Sequence, residues 1–265
     1  FKIADRNNYD GVELRGKYRL PDMNQQQYQE KLLSLKQQYP KLDIYFGSMV
    51  DMYRDDEKLI NSDIDEYIAF LKWANTNVGS KIMNFSTGSL IKPGCNYNDF
   101  DQNGSAMATD AHFEKTAKYL RKIGDAADSL NMRIALESHN CCLHDLAASC
   151  KKLMNMTNHK AVGITYDHGN IVINKNGESI AKVFELIGDK IYHTHLKNMF
   201  VVKDIFLVTH LEDGQIDTFE IIKRLKDINY GGALCVEYPW SGDGVIAAKK
   251  DKEYIDYIKD FLDIP

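Results

Sequence analysis

Two spacings of hydrophobic residues alternate along the chain and predict short strands separated by amphipathic helices. Runs rich in β-branched and aromatic residues recur, and each is followed by a turn signal. Between these runs, apolar residues return about every three or four positions, which is typical of a helix with one buried face. One such helix contains Phe113, Ala117, Leu120, Ala127 and Leu130. The predicted strands are Gly11–Gly16, Leu42–Gly47, Lys81–Gly88, Arg133–His139, Ala161–Gly169, Ile191–Asn198 and Ala233–Tyr238.

Strands that alternate with helices predict βα units and a parallel sheet. A (β/α)8 barrel needs about eight such units, one more than the runs supply. The first residues resemble the end of a helix that leads into a strand, so we expect the first strand of the barrel to precede Phe1. The rival is an open doubly wound sheet, which should carry a Gly-x-Gly-x-x-Gly turn after an early strand; the sequence has no such turn. We therefore predict an α/β fold, a (β/α)8 TIM barrel that forms a single domain over residues 1–265.

Helix starts and long loops are also predicted from local spacing. Ser62 with Asp65, and Asp217 with Glu220, are spaced as in a capping box, which indicates that helices begin there. Barrel active sites are built from the loops that follow the strands. Three of these loops are long enough to predict lids or binding loops: Ser48–Asn61, Ser89–Gly104 and Met199–Gly214.

Composition and charge exclude several classes of protein. The chain is 44% hydrophobic and 27% charged, as folded globular domains are. The net charge of −5 disfavours general nucleic-acid binding, and no apolar run approaches the length of a membrane span. The five cysteines are odd in number and lack framework spacing, so we expect reduced thiols in a cytoplasmic protein.

Four consecutive predicted strands each end in a residue that can bind a metal: Glu137, Asp167, His195 and Glu237. The side chains of a strand alternate between the two faces of the sheet. In the last strand this alternation turns Leu234 and Val236 toward the helices and Glu237 toward the barrel axis. The same phase directs Glu137 and His195 inward, with His193 one step deeper.

Three carboxylates and one imidazole on neighbouring strand ends form a site of hard to borderline ligands. Such a set suits one divalent cation: Mn²⁺, Mg²⁺, Co²⁺ or Zn²⁺. Without a cation, the clustered negative charges should repel one another and raise the pKa values of the carboxylates. The sequence therefore predicts a single metal ion bound by Glu137, Asp167, His195 and Glu237.

The motifs of these strands resemble the xylose isomerase-like superfamily of sugar phosphate isomerases and epimerases, from Gly11 to about Ile264. The resemblance rests on GVELRG, ALESHN, TYDHGN, HTHLKN and the block DGQIDTFEIIKRLKDINYGGALCVEY. It implies a TIM barrel and, as in ketose 3-epimerases, one divalent metal on the same four residues. It also implies that Glu137 and Glu237 are catalytic, acting as an acid/base pair on a sugar or sugar phosphate through an enediolate.

Five further residues are candidates for substrate binding: Glu13, His139, Asn170, Lys197 and Trp240. Lys197 and His139 each follow a proposed ligand by two positions and share its inward phase. Trp240 could cover an apolar sugar face, and Glu13 could instead belong to a buried ion pair. Asn170 stands where many relatives carry a histidine, which argues against a second metal or a catalytic histidine there.

Other activities stay open within the same resemblance. An inosose-type dehydratase would need nearly the same residues. An apurinic endonuclease would need a three-zinc cluster with more histidines than the chain places well, and a non-catalytic sugar-binding relative would usually have lost one of the four ligands. We expect a small-molecule sugar or sugar-phosphate substrate and no nucleic-acid or membrane partner; a homo-oligomer stays open.

Overall fold

Seven parallel strands form a nearly closed barrel in the computed structural model, which describes residues 1–15, 23–203, 205–237 and 243–265. The barrel strands are β1 (Gly11–Arg15), β2 (Asp43–Met49), β3 (Ile82–Ser86), β4 (Arg133–Glu137), β5 (Val162–Asp167), β6 (Ile191–Leu196) and β9 (Leu234–Val236), and two further strands are β7 (Asn198–Val202) and β8 (Ile205–Thr209). The barrel sheet has the order β1-β2-β3-β4-β5-β6-β9, and β7 pairs with β8 in a separate antiparallel hairpin. The interior side chains of the two end strands approach each other, with Cys235 Sγ 3.8 Å from Glu13 Oε2.

Helices alternate with most strands of the barrel along the chain. They are α1 (Lys2–Arg6), α2 (Gln25–Gln38), α3 (Glu57–Val78), α4 (Asp110–Ser129), α5 (Ala147–Thr157), α6 (His168–Val172), α7 (Ile180–Ile187), α8 (Thr218–Asp227) and α9 (Gly244–Phe261). Short 3-10 helices span Gly104–Ala106 and Gly188–Lys190. None of the helices in the described ranges combines the length and the apolar composition needed to cross a membrane.

The predicted parallel α/β barrel is confirmed, and the reason lies in the burial of the strands. All six residues of β5 are buried, as expected for a strand covered on both faces. On β4, Ile134 and Leu136 are fully buried within the hydrophobic core. Glu137, in the opposite phase, closes the strand at the barrel interior, so the alternation that packs the core also aims the polar residues.

Two local predictions are wrong. The helix predicted to begin near Ser62 begins at Glu57, because the side chain of Asp56 accepts hydrogen bonds from Lys58 N and Leu59 N and caps it there. The loop predicted over Met199–Gly214 contains the hairpin β7–β8, whose two largely apolar strands pair with each other. The start predicted at Asp217 is confirmed, since its side chain accepts from Glu220 N at the head of α8.

Candidate active site

The ends of β4, β5 and β6 and the residue after β9 bring four metal-binding side chains together. Glu137, Asp167, His195 and Glu237 each offer a ligand atom, and these atoms all lie within 4.8 Å of one another. We call these four residues the quartet. Asp167 is fully buried and His195 is 5% exposed, whereas the Glu237 side chain is 30% exposed. The quartet therefore opens to solvent on the side of Glu237.

The two ring nitrogens of His195 have different neighbours: one contacts Glu13 and the other faces two glutamates of the quartet. Its Nε2 lies 3.1 Å and 3.2 Å from the two carboxylate oxygens of Glu13. Its Nδ1 lies 3.6 Å from Glu137 Oε1 and 3.8 Å from Glu237 Oε2. Burial opposes the charged form of His195, but the carboxylates of Glu13 and Glu137 outweigh it and hold the pKa of His195 well above its usual range.

Glu137 is locked by two amides. Asn84 Nδ2 donates to Glu137 Oε2 at 2.9 Å, and Asn170 Nδ2 donates to Glu137 Oε1 at 3.1 Å. Burial raises the pKa of Glu137, but the neighbouring His195 more than offsets it and holds that pKa well below its usual range. The rise expected from crowded carboxylates is therefore wrong for Glu137, because a cationic imidazole and not another carboxylate dominates its surroundings.

Asp167 and Glu237 share the ammonium group of Lys197. Lys197 Nζ lies 2.7 Å from Asp167 Oδ2 and 2.7 Å from Glu237 Oε2. Burial raises the pKa of Asp167 to about 6; the charge of Lys197 opposes the rise, while those of Glu237 and Glu137 add to it. The pKa of Asp167 thus rises in the expected direction, but burial is the main cause and repulsion from the neighbouring carboxylates only adds to it. Asp167 also caps α6, since its Oδ1 accepts from Asn170 N at 3.1 Å.

Gly169 makes room for the aliphatic part of Lys197. A Cβ at position 169 would lie 2.6 Å from Lys197 Cγ and 2.8 Å from Lys197 Cε, closer than side-chain atoms can pack. The glycine directly after the Asp167–His168 pair therefore lets the Lys197 stem reach the two carboxylates.

Gly169→Ala should destabilise the fold by about 1–3 kcal/mol, the usual cost of overpacking a filled site. The cost should fall sharply in a Lys197→Ala background, because the clashing stem is then absent. Urea unfolding of both single variants and the double variant measures this coupling. An equal cost of Gly169→Ala in both backgrounds would show that the contact with Lys197 is not what requires glycine.

The remaining substrate-binding candidates lie at different places around the quartet. Asn170 is buried and bonded to both Glu137 and Asp167. Glu13 lies inside the barrel and pairs with His195 above it. A buried pairing of this kind was the alternative to substrate binding that the sequence left open for Glu13. His139 is partly exposed on the loop after β4, where its Nδ1 donates to Asn140 O at 3.0 Å. Trp240 falls outside the described residues.

The predicted flap Ser89–Gly104 is tied to the loop that follows β4. Leu90 N donates to Cys141 O at 2.7 Å, and Gly104 N donates back to Leu90 O at 2.8 Å. Gly104 has a φ of 59°, and a Cβ there would lie 2.2 Å from Asp145 Oδ2. Asp145 Oδ2 accepts from Ser105 N at 3.2 Å, so this carboxylate fastens the flap at the rim of the site.

Asp145 should make the stability of the fold depend on pH. Burial raises the pKa of Asp145 to about 6 from an ordinary value of 3.8. The folded chain therefore holds this proton more tightly than the unfolded chain, and the stabilisation present below pH 3.8 is lost as the pH rises through about 6. Asp145→Asn keeps an acceptor for Ser105 N and removes the titration.

Between pH 4 and pH 7, the stability of Asp145→Asn relative to wild type should therefore rise by up to about 2–3 kcal/mol. Urea unfolding of both proteins at the two pH values measures the change. A difference between variant and wild type that does not vary with pH would contradict the role given to Asp145.

Sequence reasoning missed Asn84 and the contact of His193 with Glu13. Asn84 lies in the middle of β3, where a lone amide in an apolar strand gives little indication of function. Its inward phase, shared with Gly47 on the neighbouring strand β2, is the signal that could have placed it under the quartet. His193 Nε2 lies 2.7 Å from Glu13 Oε2 and extends the network deeper into the barrel.

The quartet fits a divalent cation on the chemistry and geometry of its own atoms. His195 Nδ1 is buried and has no hydrogen-bond partner among the described residues, although it faces two carboxylates. Ligand atoms that share one cation at about 2.0–2.3 Å lie roughly 3–4 Å apart, close to the separations between His195 and the two glutamates. An unpaired buried nitrogen opposite carboxylate oxygens is the arrangement that a metal would complete.

A family model and several curated proteins match the sequence. The family model is described as a xylose isomerase-like TIM barrel and matches residues 1–261. An inosose dehydratase of Lacticaseibacillus casei is 27% identical over 168 residues, which are 56% of this chain and 55% of that protein. The chain thus spans about half the length of the curated relatives it matches.

Solved structures share the fold at low identity. A xylose isomerase-like TIM barrel protein of Mycobacterium smegmatis in complex with magnesium superposes with a TM-score of 0.77 at 16% identity, covering 98% of this chain and 87% of that one. A D-allulose 3-epimerase of Methylomonas sp. in complex with D-allulose gives a TM-score of 0.74 at 18% identity, covering 97% and 88%.

Proposed function

The chain belongs to the xylose isomerase-like TIM barrel family, and from this premise we propose that it is a divalent-metal-dependent isomerase or epimerase of a sugar or sugar phosphate. The reaction would remove a proton from the carbon beside a carbonyl and return one to the resulting enediolate. The observation that carries the proposal is the quartet, whose ligand atoms converge within 4.8 Å and include a buried, unpaired His195 Nδ1.

The charges of the quartet and Lys197, taken together, suit a divalent cation. The three carboxylates of the quartet carry three negative charges, and Lys197 returns one positive charge to Asp167 and Glu237. Two negative charges are left for a cation to neutralise once His195 is a neutral ligand. When bound there, Mn²⁺, Mg²⁺, Co²⁺ or Zn²⁺ would stabilise the negative charge that develops on substrate oxygens.

Glu137 and Glu237 are the proposed proton carriers. Glu137 ends β4 and Glu237 directly follows β9. These two strands are separated in the sheet by β5 and β6, so the two glutamates face the interior from different sides. One carboxylate takes the proton from carbon and the other, in its acid form, returns a proton. Asn84 and Asn170 hold Glu137 in one orientation, while the partly exposed Glu237 borders the open side of the site.

The remaining polar residues would bind the substrate. Lys197 lies between two quartet carboxylates and offers its ammonium group to a hydroxyl, carboxylate or phosphate at the same edge. His139 and Trp240 follow quartet residues by two and three positions, and we assign them to the substrate's hydroxyls and apolar face. Asn170 and Glu13 would act through the ligands they contact, with Glu13 one layer below the substrate.

Solvent exchange tests this function. The metal-loaded chain is incubated in deuterated water with ketoses, ketose phosphates and inososes, and the products are analysed by mass spectrometry. We expect incorporation of deuterium at carbon without loss of water, and no incorporation after the metal is removed by a chelator. Neither exchange nor elimination with any of these substrate classes would contradict the proposal.

Dehydration is the second candidate, favoured by the similarity to inosose dehydratases. Elimination begins with the same proton removal and then needs a donor for the departing β-hydroxyl. The Lys197 ammonium, 2.7 Å from the partly exposed Glu237, is such a donor at the open side of the quartet. Loss of water from an inosose in the same experiment would establish this activity in place of the first.

A further inference from the structure

We propose that Glu13 and Asn84 are positioning residues that fix His195 and Glu137 as ligands for the divalent cation. This inference rests on the proposed function, because it concerns how the quartet is held. Both residues lie inside the barrel, beneath the quartet residues that they contact. Glu13 is in the middle of β1, and Asn84 is in the middle of β3.

The Glu13 carboxylate sets the hydrogen-bonding state of His195. A carboxylate only accepts hydrogen bonds, so an imidazole nitrogen beside it must carry a hydrogen. His195 Nε2 lies 3.1 Å and 3.2 Å from the two oxygens of Glu13. In the neutral imidazole this places the hydrogen on Nε2 and leaves the lone pair on Nδ1, the atom that faces Glu137 and Glu237. Glu13 thus selects the tautomer that can bind a cation.

Asn84 connects the same carboxylate to a second ligand. Its Nδ2 lies 2.9 Å from Glu137 Oε2 and 3.3 Å from Glu13 Oε1. Asn84 is 4% exposed, so its amide has little access to competing water. By donating to both carboxylates, it keeps Glu13 beneath His195 and directs the other oxygen of Glu137 toward the quartet. One amide therefore joins the positions of two ligands.

The surroundings of Glu13 explain why this position needs a carboxylate. His193 Nε2 at 2.7 Å, His195 Nε2 at 3.1 Å and the Cys235 thiol at 3.8 Å all surround Glu13 Oε2, and Asn84 donates to Oε1. A glutamine would present one oxygen and one donating amide group to the same set of donors. Two imidazole hydrogens would then compete for a single acceptor.

A second metal site is the rival interpretation of this cluster. Ligand atoms of Glu13, His193, His195 and Cys235 also lie within 4.8 Å of one another, and such a set would suit zinc. However, Glu13 Oε2 and His193 Nε2 are only 2.7 Å apart. That separation is usual for a charge-assisted hydrogen bond and shorter than the roughly 3–4 Å between two ligands of one tetrahedral ion. The geometry therefore favours hydrogen bonding over a metal.

Metal affinity in Glu13→Gln tests the positioning role. The probe is Co²⁺, titrated into the metal-free chain and followed by calorimetry and by the visible spectrum of the bound ion. We expect wild type to bind one equivalent without a sulfur-to-cobalt charge-transfer band. Glu13→Gln should bind that ion ~10–100-fold more weakly, the usual cost of losing an outer partner of a metal-binding histidine. Nitrogen NMR of the Zn²⁺-loaded protein should show His195 coordinated through Nδ1 in wild type and a mixture of tautomers in the variant.

Asp251→Asn is the matched control, because Asp251 is another buried carboxylate beside a histidine, His210, but lies on α9. It should leave Co²⁺ affinity unchanged. Should Glu13→Gln not fold, Asn84→Ser provides the same test, with an expected loss of affinity of the same order. Wild-type affinity in a folded Glu13 or Asn84 variant would overturn the inference.

Two other outcomes separate this inference from the function on which it rests. A second equivalent of Co²⁺ with a charge-transfer band that Cys235→Ser removes would overturn it, because the inner cluster would then be a metal site. A wild-type chain that binds neither Co²⁺ nor Zn²⁺ would contradict the proposed metal-dependent function as well. Unchanged Glu13→Gln affinity beside normal wild-type binding contradicts the positioning role alone.

Discussion

Glu137→Gln and Glu237→Gln should each lower turnover ~10²–10⁴-fold at saturating divalent cation, the usual loss when one positioned acid or base is removed. Glutamine keeps an oxygen that can bind the cation but cannot carry the proton. In the folded chain, each carboxylate oxygen of Glu137 accepts a hydrogen bond, one from Asn84 and one from Asn170. In Glu137→Gln one of those amides loses its acceptor, so metal affinity should fall as well, and activity must be compared at saturation.

The measurements are kcat at increasing cation concentration and the metal content of each variant. If a Glu→Gln variant regains wild-type kcat under excess cation, its carboxylate is a ligand and not a proton carrier. Lys197 and His139 would then become the candidates for the base. Lys197 lies 2.7 Å from Glu237, and His139 follows Glu137 by two residues on the loop after β4.

His195→Ala should act chiefly on the cation. Removing this imidazole deletes the only nitrogen of the quartet and leaves Glu13 without one of its two histidine partners. Affinity should fall by more than the ~10–100-fold that loss of an outer partner costs, and excess cation should restore part of the activity. Asp167→Asn should behave similarly and should also loosen Lys197, whose Nζ lies 2.7 Å from Asp167 Oδ2.

Equilibrium dialysis measures the affinity, and a cation titration of activity measures the rescue. Lys182→Ala, on the exposed surface of α7, is a control that should change neither. A His195→Ala variant with wild-type affinity would remove His195 from the site. A variant that binds the cation normally at high concentration but stays inactive would assign His195 a catalytic role instead.

The barrel and the direction of its polar residues could be predicted because both follow from one alternation. Apolar residues such as Ile134 and Leu136 must face the helices, so Glu137 in the opposite phase must face the interior. Parallel strands end at the same rim, which brings Asp167 and His195 beside Glu137 without any knowledge of loops. That these residues converge follows from the strand pattern, whereas their roles stay predictions.

Features that depend on single side chains could not be predicted in this way. The start of α3 is decided by which side chain accepts hydrogen bonds from the free backbone amides, and Asp56 does so six residues before Ser62. The two strands of the hairpin β7–β8 pair only with each other among the described residues. The spacing of residues along the sequence does not distinguish such a hairpin from a long loop. Asn84 gains its place only through contacts with Glu13 and Glu137, residues far away in sequence.

Anomalous diffraction from crystals of the Mn²⁺- or Zn²⁺-loaded chain tests the central claim most directly. We expect one strong peak at the rim of the barrel, about 2.0–2.3 Å from a ligand atom of each of Glu137, Asp167, His195 and Glu237, with His195 bound through Nδ1. A peak elsewhere, or a peak that any of these four side chains fails to reach in a fully loaded crystal, would contradict the assignment.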